Sequence, residues 1–388
     1  MEDPRRGRPI ADFRSGLNEW LDAHHRDLAP RYHGSGTLDE QIAQMQRVKS
    51  VLFDAGWMRY GWPERVGGLG GSPMLRTELG AALAARDWTD PGLFSLIEVL
   101  APTLIDFASQ ELAAEVVPRL LSGAEIWCQG FSEPGTGSDL SSLSCRAEPD
   151  GDPSTASTWV INGQKVWTSL AQYAERCVLL TRTGPADSRH RGITAFFVDM
   201  NTPGITVSPL EMINGMHEFA EVFFDDVVVP ADRMLGELNG GWSVAMAILP
   251  FERSSCFWQR IAYLYRRLQM MVEVAPNDDL AAEVLGNTFL QLHALRARSR
   301  NTQHRLADGA TLGAETSIDK VLVAAGEQAT YDAARRLLPG IVEMDDSVAG
   351  ELWRTEYLYS RAATIYGGTI EEQRNIIARR LLGLDSDD

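Results

Sequence analysis

Over residues 10–125 apolar side chains return every three or four positions, first at Phe13, Leu17, Trp20 and Leu21, then at Ile42, Met45, Val48, Val51 and Leu52. That spacing puts one apolar stripe on each segment and predicts an all-helical opening. Within it, residues 61–73 read GWPERVGGLGGSP, where prolines and glycines end one helix and delay the next. The period changes near Ile126. The segments TWVINGQKVWT, RCVLLTRT, GITAFFVDM, GITVSPL and EVFFDDVVVP are rich in β-branched and aromatic residues and are bounded by Gly, Asn, Asp and Pro. They predict a β domain over residues 126–235, with hairpin tips at residues 149–157 and 184–191. Helical spacing returns from Gly240, in segments near residues 241–272, 279–307, 315–338 and 349–365 separated by short Gly, Pro or Asp breaks. Long helices with short connections pack as an antiparallel bundle, so an α+β protein is expected.

Composition narrows the function classes. The chain has 388 residues, 44% of them hydrophobic, enough for a large core divided among subdomains. Its 36 basic and 53 acidic residues leave a net charge of −17, which repels nucleic-acid phosphates and anionic membranes. Neither is expected as a partner. The densest basic runs are PRRGR near the N-terminus, read as a frayed tail, and RARSRNTQHR around Arg300, read as a solvated helix face. Cys128, Cys145, Cys177 and Cys256 show no CxxC and no metal-ligand spacing, so no metal site is expected and a reducing compartment is. The opening MEDPRRGRPIADF has no apolar leader, and no window approaches about 18 uninterrupted apolar residues, which points to the cytoplasm.

The candidate chemistry lies in residues 127–169, where FSEPGTGSDL is followed after a spacer by INGQKVWTS. Phe131, Ser132, Gly135, Gly137 and Ser138 offer small side chains, backbone N–H groups and hydroxyls, suited to a planar electron-poor ring and a pyrophosphate. Trp167 adds a flat face and Ser169 a hydroxyl donor. GTGSDL does not complete G-x-G-x-x-G, because Leu140 stands at the third glycine, and a Rossmann domain is not expected.

This two-part pattern closely resembles the acyl-CoA dehydrogenase family, and the resemblance extends over nearly the whole chain. It implies an N-terminal all-α domain (residues 1–125), a middle β-barrel or sandwich domain (126–235) and a C-terminal four-helix bundle (236–388). It also implies FAD as cofactor. Phe131, Ser132, Gly137 and Ser138 would then border the flavin, Trp167 would stack on the ring, and the Ser169 hydroxyl would face N5. Thr369 and Glu371 match positions that reach the adenosine side.

Removing hydrogens from Cα and Cβ of an acyl thioester needs a base for the α proton. Most members of the family carry it as a glutamate in Tyr-Glu-Gly-Thr before the last helix, whereas this chain reads IYGGTIEEQRN, with Gly367 in its place. Other members place the base in a Glu-Arg pair on the first long helix after the β domain. ILPFERSS supplies Glu252 and Arg253 there, with Pro250 expected to kink the helix. The resemblance thus implies Glu252 as the base. In a dry site, desolvation would raise its pKa toward the range where a general base works well. Arg253 would orient it, and the Gly367 N–H would bind the thioester carbonyl, so Ser138, Arg253 and Gly367 form the substrate side.

Two family segments that grip the outer half of FAD in homotetramers, Arg-x-x-Phe-Gly and Gln-x-x-Gly-Gly-x-Gly, are missing. The corresponding regions read QRIAYLYRRLQMMV and EQATYDAARRLLPGIV. Either a paralogous subunit in an α2β2 assembly completes the site, or a homo-oligomer holds FAD by other residues. The expected activity is α,β-dehydrogenation of an acyl-CoA or acyl-carrier thioester, with an electron-transfer flavoprotein as acceptor. A flavin oxidase or monooxygenase on the same fold and a non-catalytic partner subunit are the alternatives.

Overall fold

The computed structural model describes residues 10–310 and 312–384, apart from the side chains of Leu249, Pro250 and Ser254. The basic run at residues 4–8 and the ring expected to kink the helix at Pro250 lie outside that set. Along the chain the helices are α1 (Ile10–Ala23), α2 (His25–Leu28), α3 (Leu38–Asp54), α4 (Met74–Ala84), α5 (Pro91–Phe94), α6 (Leu96–Phe107) and α7 (Gln110–Ser122). The strands follow as β1 (Trp127–Gly130), β2 (Arg146–Pro149), β3 (Thr158–Ser169), β4 (Arg176–Arg182), β5 (Ile193–Asp199), β6 (Ile205–Leu210), β7 (Phe219–Pro230) and β8 (Met234–Leu235). Then come α8 (Gly241–Phe251), α9 (Phe257–Val274), α10 (Asp279–Ala307), α11 (Thr316–Leu337), α12 (Val348–Ser360) and α13 (Ile370–Ile376). Backbone contacts divide the chain into two units, residues 1–98 with 250–388, and residues 99–249.

The first unit is helical. Phe13, Leu17 and Leu21 are buried on α1, as their spacing predicts, and Thr37 with Glu40 closes a reciprocal capping box that starts α3. Residues 61–73 form a loop with one 3-10 turn, Glu64–Val66, folded back by a bridge between Tyr60 and Gly70. In the bundle of α9 to α12, Leu264, Leu268, Leu292, Leu295, Val323, Tyr331 and Trp353 form a buried core. Arg296 and Arg300 of the basic run are exposed, while Arg298 and Arg305 pair with Asp319 and Glu315 at 3.0 and 2.8 Å. The stripe on α11 is not purely apolar: Lys320 and Glu327, seven residues apart, are both fully buried among Val323, Ala324 and Tyr331.

The second unit is built on one hydrogen-bonded sheet of eight strands in the order β6-β7-β3-β2-β4-β5-β8, with β1 paired to β4. The antiparallel β3 and β7, the longest strands, pair next to the edge strand β6, and both hairpin tips fall at the expected residues, between β2 and β3 and between β4 and β5. Trp159, Ile161, Cys177, Leu179, Phe196, Val198, Val222 and Val229 form the core on the sheet. Strands β1, β2 and β8 were not evident in the pattern, because runs of four, four and two residues are too short to show a period of two. The pairing of β1 with β4 is parallel, which a strand sequence alone does not reveal.

Candidate active site

In the sheet unit, the loop after β1 is tied down from beneath. Lys165 on β3 is fully buried, and its Nζ donates to Glu133 Oε1 at 2.8 Å and to the Phe131 carbonyl at 3.1 Å. Glu133 also accepts from Ser144 N–H and Oγ, both at 2.7 Å, and from Cys145 N–H at 2.8 Å. Burial pushes the Glu133 carboxyl up, but the Lys165 ammonium and these donors outweigh it and hold the group below its usual range. The Ser132 carbonyl accepts the Val166 N–H at 2.9 Å, locking the loop to the strand.

Trp167 follows within β3. Its φ is +58°, inside a bulge between Lys165 and Thr168, and the residue is 61% exposed, with its ring edge-on to that of Phe219 at 6.1 Å between centroids. A left-handed non-glycine residue costs about 1–2 kcal/mol, so an exposed indole held this way is a feature the fold maintains against strain. Phe131 is buried, Ser132 and Ser169 are half-buried, and Gly137 and Ser138 are exposed. Among the described residues, and apart from the chain neighbours of each glycine, no atom lies within 4 Å of where a β-carbon on Gly135 or Gly137 would stand. Thr168 Oγ is buried without a hydrogen-bond partner. An uncovered aromatic face, an open glycine loop and free hydroxyls fit the ring of a flavin.

In the helical unit, α8 passes into a π-helical turn, Glu252–Cys256, before α9 begins. Such widened turns put successive side chains into new directions and recur at functional sites. Glu252 projects onto Gly367: a β-carbon there would lie 2.7 Å from Glu252 Oε1. Arg253 projects onto Gly368, where a β-carbon would lie 3.3 Å from Arg253 Nη2 and 2.5 Å from Gln373 Nε2. Both glycines are left-handed, with φ of +62° and +90°, which few other residues adopt. Burial pushes the Glu252 carboxyl above its ordinary range, and Arg253 and Lys320 pull the other way. Arg253 is buried, and its Nε has no hydrogen-bond partner among the described residues.

Behind this pair lies a polar network. Lys320 Nζ donates to the Ala363 carbonyl at 2.7 Å and sits 4.0 Å from the centre of the Tyr366 ring. The Tyr366 hydroxyl donates to Glu327 at 3.0 Å, and Arg260 holds Glu327 through two bonds of 3.0 and 2.7 Å. Glu356 accepts from Tyr331 at 2.7 Å and from Tyr263. The two segments that depart from the family's cofactor-gripping sequences thus fill the bundle interior with paired charges. Thr369 caps α13 by accepting the Glu372 N–H at 3.3 Å, and Glu371 is exposed in its first turn.

The expected residues therefore form two groups: Phe131, Ser132, Gly137, Ser138, Trp167 and Ser169 around β1 and β3, and Glu252, Arg253 and Gly367 beside the start of α13. Sequence reasoning missed Glu133, Lys165, Lys320 and Tyr366. A signal existed for the lysines, since each is a charge at a position that the local period assigns to the core.

Family models for the N-terminal, middle and C-terminal domains of acyl-CoA dehydrogenases match residues 11–124, 128–227 and 239–382. Acyl-CoA dehydrogenase IpdE1 of Mycobacterium tuberculosis (strain ATCC 25618 / H37Rv) is 38% identical over 389 residues, which cover 97% of this chain and 98% of that protein. The chain belongs to the acyl-CoA dehydrogenase family. Among solved structures, the "Tcur3481-Tcur3483 steroid ACAD" is 26% identical with a TM-score of 0.82, covering 97% of both chains. The ChsE4-ChsE5 complex from Mycobacterium tuberculosis shares the fold, with a TM-score of 0.79 at 24% identity over 100% of this chain and 99% of that one. As an acyl-CoA dehydrogenase the protein is an oxidoreductase of a flavoprotein family with the three-domain α+β fold. No helix among the described residues is long and apolar enough to cross a membrane.

Proposed function

We propose that the protein removes the α proton and β hydride of an acyl thioester, with Glu252 as the base and FAD as the hydride acceptor, giving a trans-2-enoyl thioester. The carrying observation is the contact of Glu252 Oε1 with the space above Gly367. By resemblance, that is the position from which most relatives present their glutamate. FAD, when bound, supplies N5 as the site that accepts the hydride. The residues to hold it are Phe131, Ser132, Gly137 and Ser138 in the loop, Trp167 by its ring face, Ser169 by its hydroxyl, and Thr369 and Glu371 toward the adenosine.

Glu252 takes the proton at its carboxylate, made more basic by burial, with the Arg253 guanidinium pulling the other way. The Gly367 N–H donates to the thioester carbonyl, a contact of a kind worth about 2.7–4 kcal/mol to the transition state. Arg253 orients Glu252, and by resemblance both Arg253 and Ser138 match substrate-side positions. An electron-transfer flavoprotein takes the electrons onward. The paired names of the similar structures, Tcur3481-Tcur3483 and ChsE4-ChsE5, support a paralogous second subunit in an α2β2 assembly. Four free cysteines support a reducing, cytoplasmic setting.

Anaerobic bleaching of the flavin by a panel of acyl-CoA and acyl-carrier thioesters, with steroid-derived acyl groups included, tests the reading. At least one thioester should bleach the wild type and leave Glu252→Gln yellow. Bleaching of Glu252→Gln at the wild-type rate sinks the assignment of the base, and oxygen uptake during turnover would make the protein an oxidase.

A further inference from the structure

The proposed chemistry uses Glu252, Arg253 and Gly367, and leaves one buried cation beside them without a task. Lys320 is fully buried on α11. A buried ammonium is expensive unless it is paired, so its partners indicate what it is for. One is the Ala363 carbonyl at 2.7 Å, at the start of the turn that leads to Gly367. Another is the ring of Tyr366, 4.0 Å away, the residue just before Gly367. The third relationship is spatial: the point that a Gly367 β-carbon would occupy lies 3.9 Å from Lys320 Cε and 2.7 Å from Glu252 Oε1. Lys320 therefore touches the turn at both ends and shares its glycine with the base.

We infer that Lys320 is a positioning residue for the proton abstraction: it holds the turn at residues 363–367 against Glu252 and favours the ionised form of that carboxylate. The inference rests on the reading of Glu252 as base. The charged and titratable groups around the pair are Arg253 and Cys256 on the π-helical turn, Glu327 on α11, and Tyr366 on the turn itself. Glu327 is already engaged by Arg260 and the Tyr366 hydroxyl, which leaves Glu252 as the carboxylate whose charge Lys320 is placed to balance. Burial lowers the lysine to about 8, with Glu252 and Glu327 raising it, so the side chain still carries its proton through neutral pH.

The test is the pH profile of the reductive half-reaction, measured on flavin-loaded protein with the best thioester. Glu252 must be ionised to act, so the rate rises with pH through its pKa. Lys320→Met removes a nearby positive charge, and the rising limb should move up by about one pH unit, lowering the rate about tenfold on the acid side. Lys320→Arg should return the limb to the wild-type position. Lys320→Gln can still donate to Ala363 but carries no charge, and should shift the limb as Met does; it also serves if the Met variant does not fold. A limb unmoved in a folded neutral variant overturns the inference, even if stability has dropped. Failure of the underlying reading looks different, because Glu252→Gln would then remain active whatever Lys320 does.

Discussion

Glu252 and Gly367 claim the same space: Glu252 Oε1 lies 2.7 Å from the point where any side chain on Gly367 would begin, and Gly367 has a φ of +62°. The glycine is therefore a requirement of the glutamate. A glutamate reaching from the π-helical turn after α8 has room here because the turn before α13 carries no side chain at this position.

Gly367→Ala should act on this relationship directly. The added methyl must displace the carboxylate, and an alanine at positive φ adds about 1–2 kcal/mol of backbone strain. We expect kcat/KM to fall at least about tenfold, consistent with the sensitivity of catalysis to displacements of about 1 Å. Flavin content should stay at the wild-type level, because the cradle on β1 and β3 is untouched. Steady-state kinetics with the flavin absorbance ratio check both.

Trp167 gives the opposite trade. Trp167→Gly relieves a left-handed tryptophan whose ring is 61% exposed and removes no core contact, so thermal stability of the flavin-free protein should hold or rise. Flavin retention should fall, since the proposed stacking face is gone. Comparing apo-protein melting with FAD titration separates the two effects. Unchanged flavin affinity would remove Trp167 from the cradle.

The clamp beneath the loop predicts a pH dependence of stability. Glu133 is held below its usual carboxyl range by Lys165 and three donors, despite burial. Such a group contributes stability above its unfolded pKa and loses it as pH falls through the folded one. Glu133→Gln leaves Lys165 buried and unpaired, a change typically worth about 3–5 kcal/mol. Denaturant unfolding should show that gap between wild type and variant at pH 7 and a smaller one in acid, with flavin lost from the variant.

Much of the molecule was legible along the chain. Periods of about 3.6 and of two located the long helices and the five longer strands, because an element that buries one face must repeat its apolar residues with its own geometry. The proposed flavin cradle is readable as a motif, since Phe131 to Ser138 and Trp167 to Ser169 are local in sequence. The vacancy at Gly367 was legible as well. Glu133 and Lys165 were missed because their meaning is a pairing across 32 residues: the strand period puts Lys165 on the face of Trp159 and Ile161, but does not say which carboxylate meets it there.

By itself, then, the sequence determined the fold class, the chemistry-bearing residue types and the absence of a glutamate at Gly367. Tertiary structure decided that Glu252 meets Gly367, that Arg253 meets Gly368, and that Lys320 is turned inward to join them. The reason is physical. Local periodicity reports which side of an element is dry, whereas which dry sides face each other depends on long-range packing, and only that brings residues 252, 320 and 367 to one place.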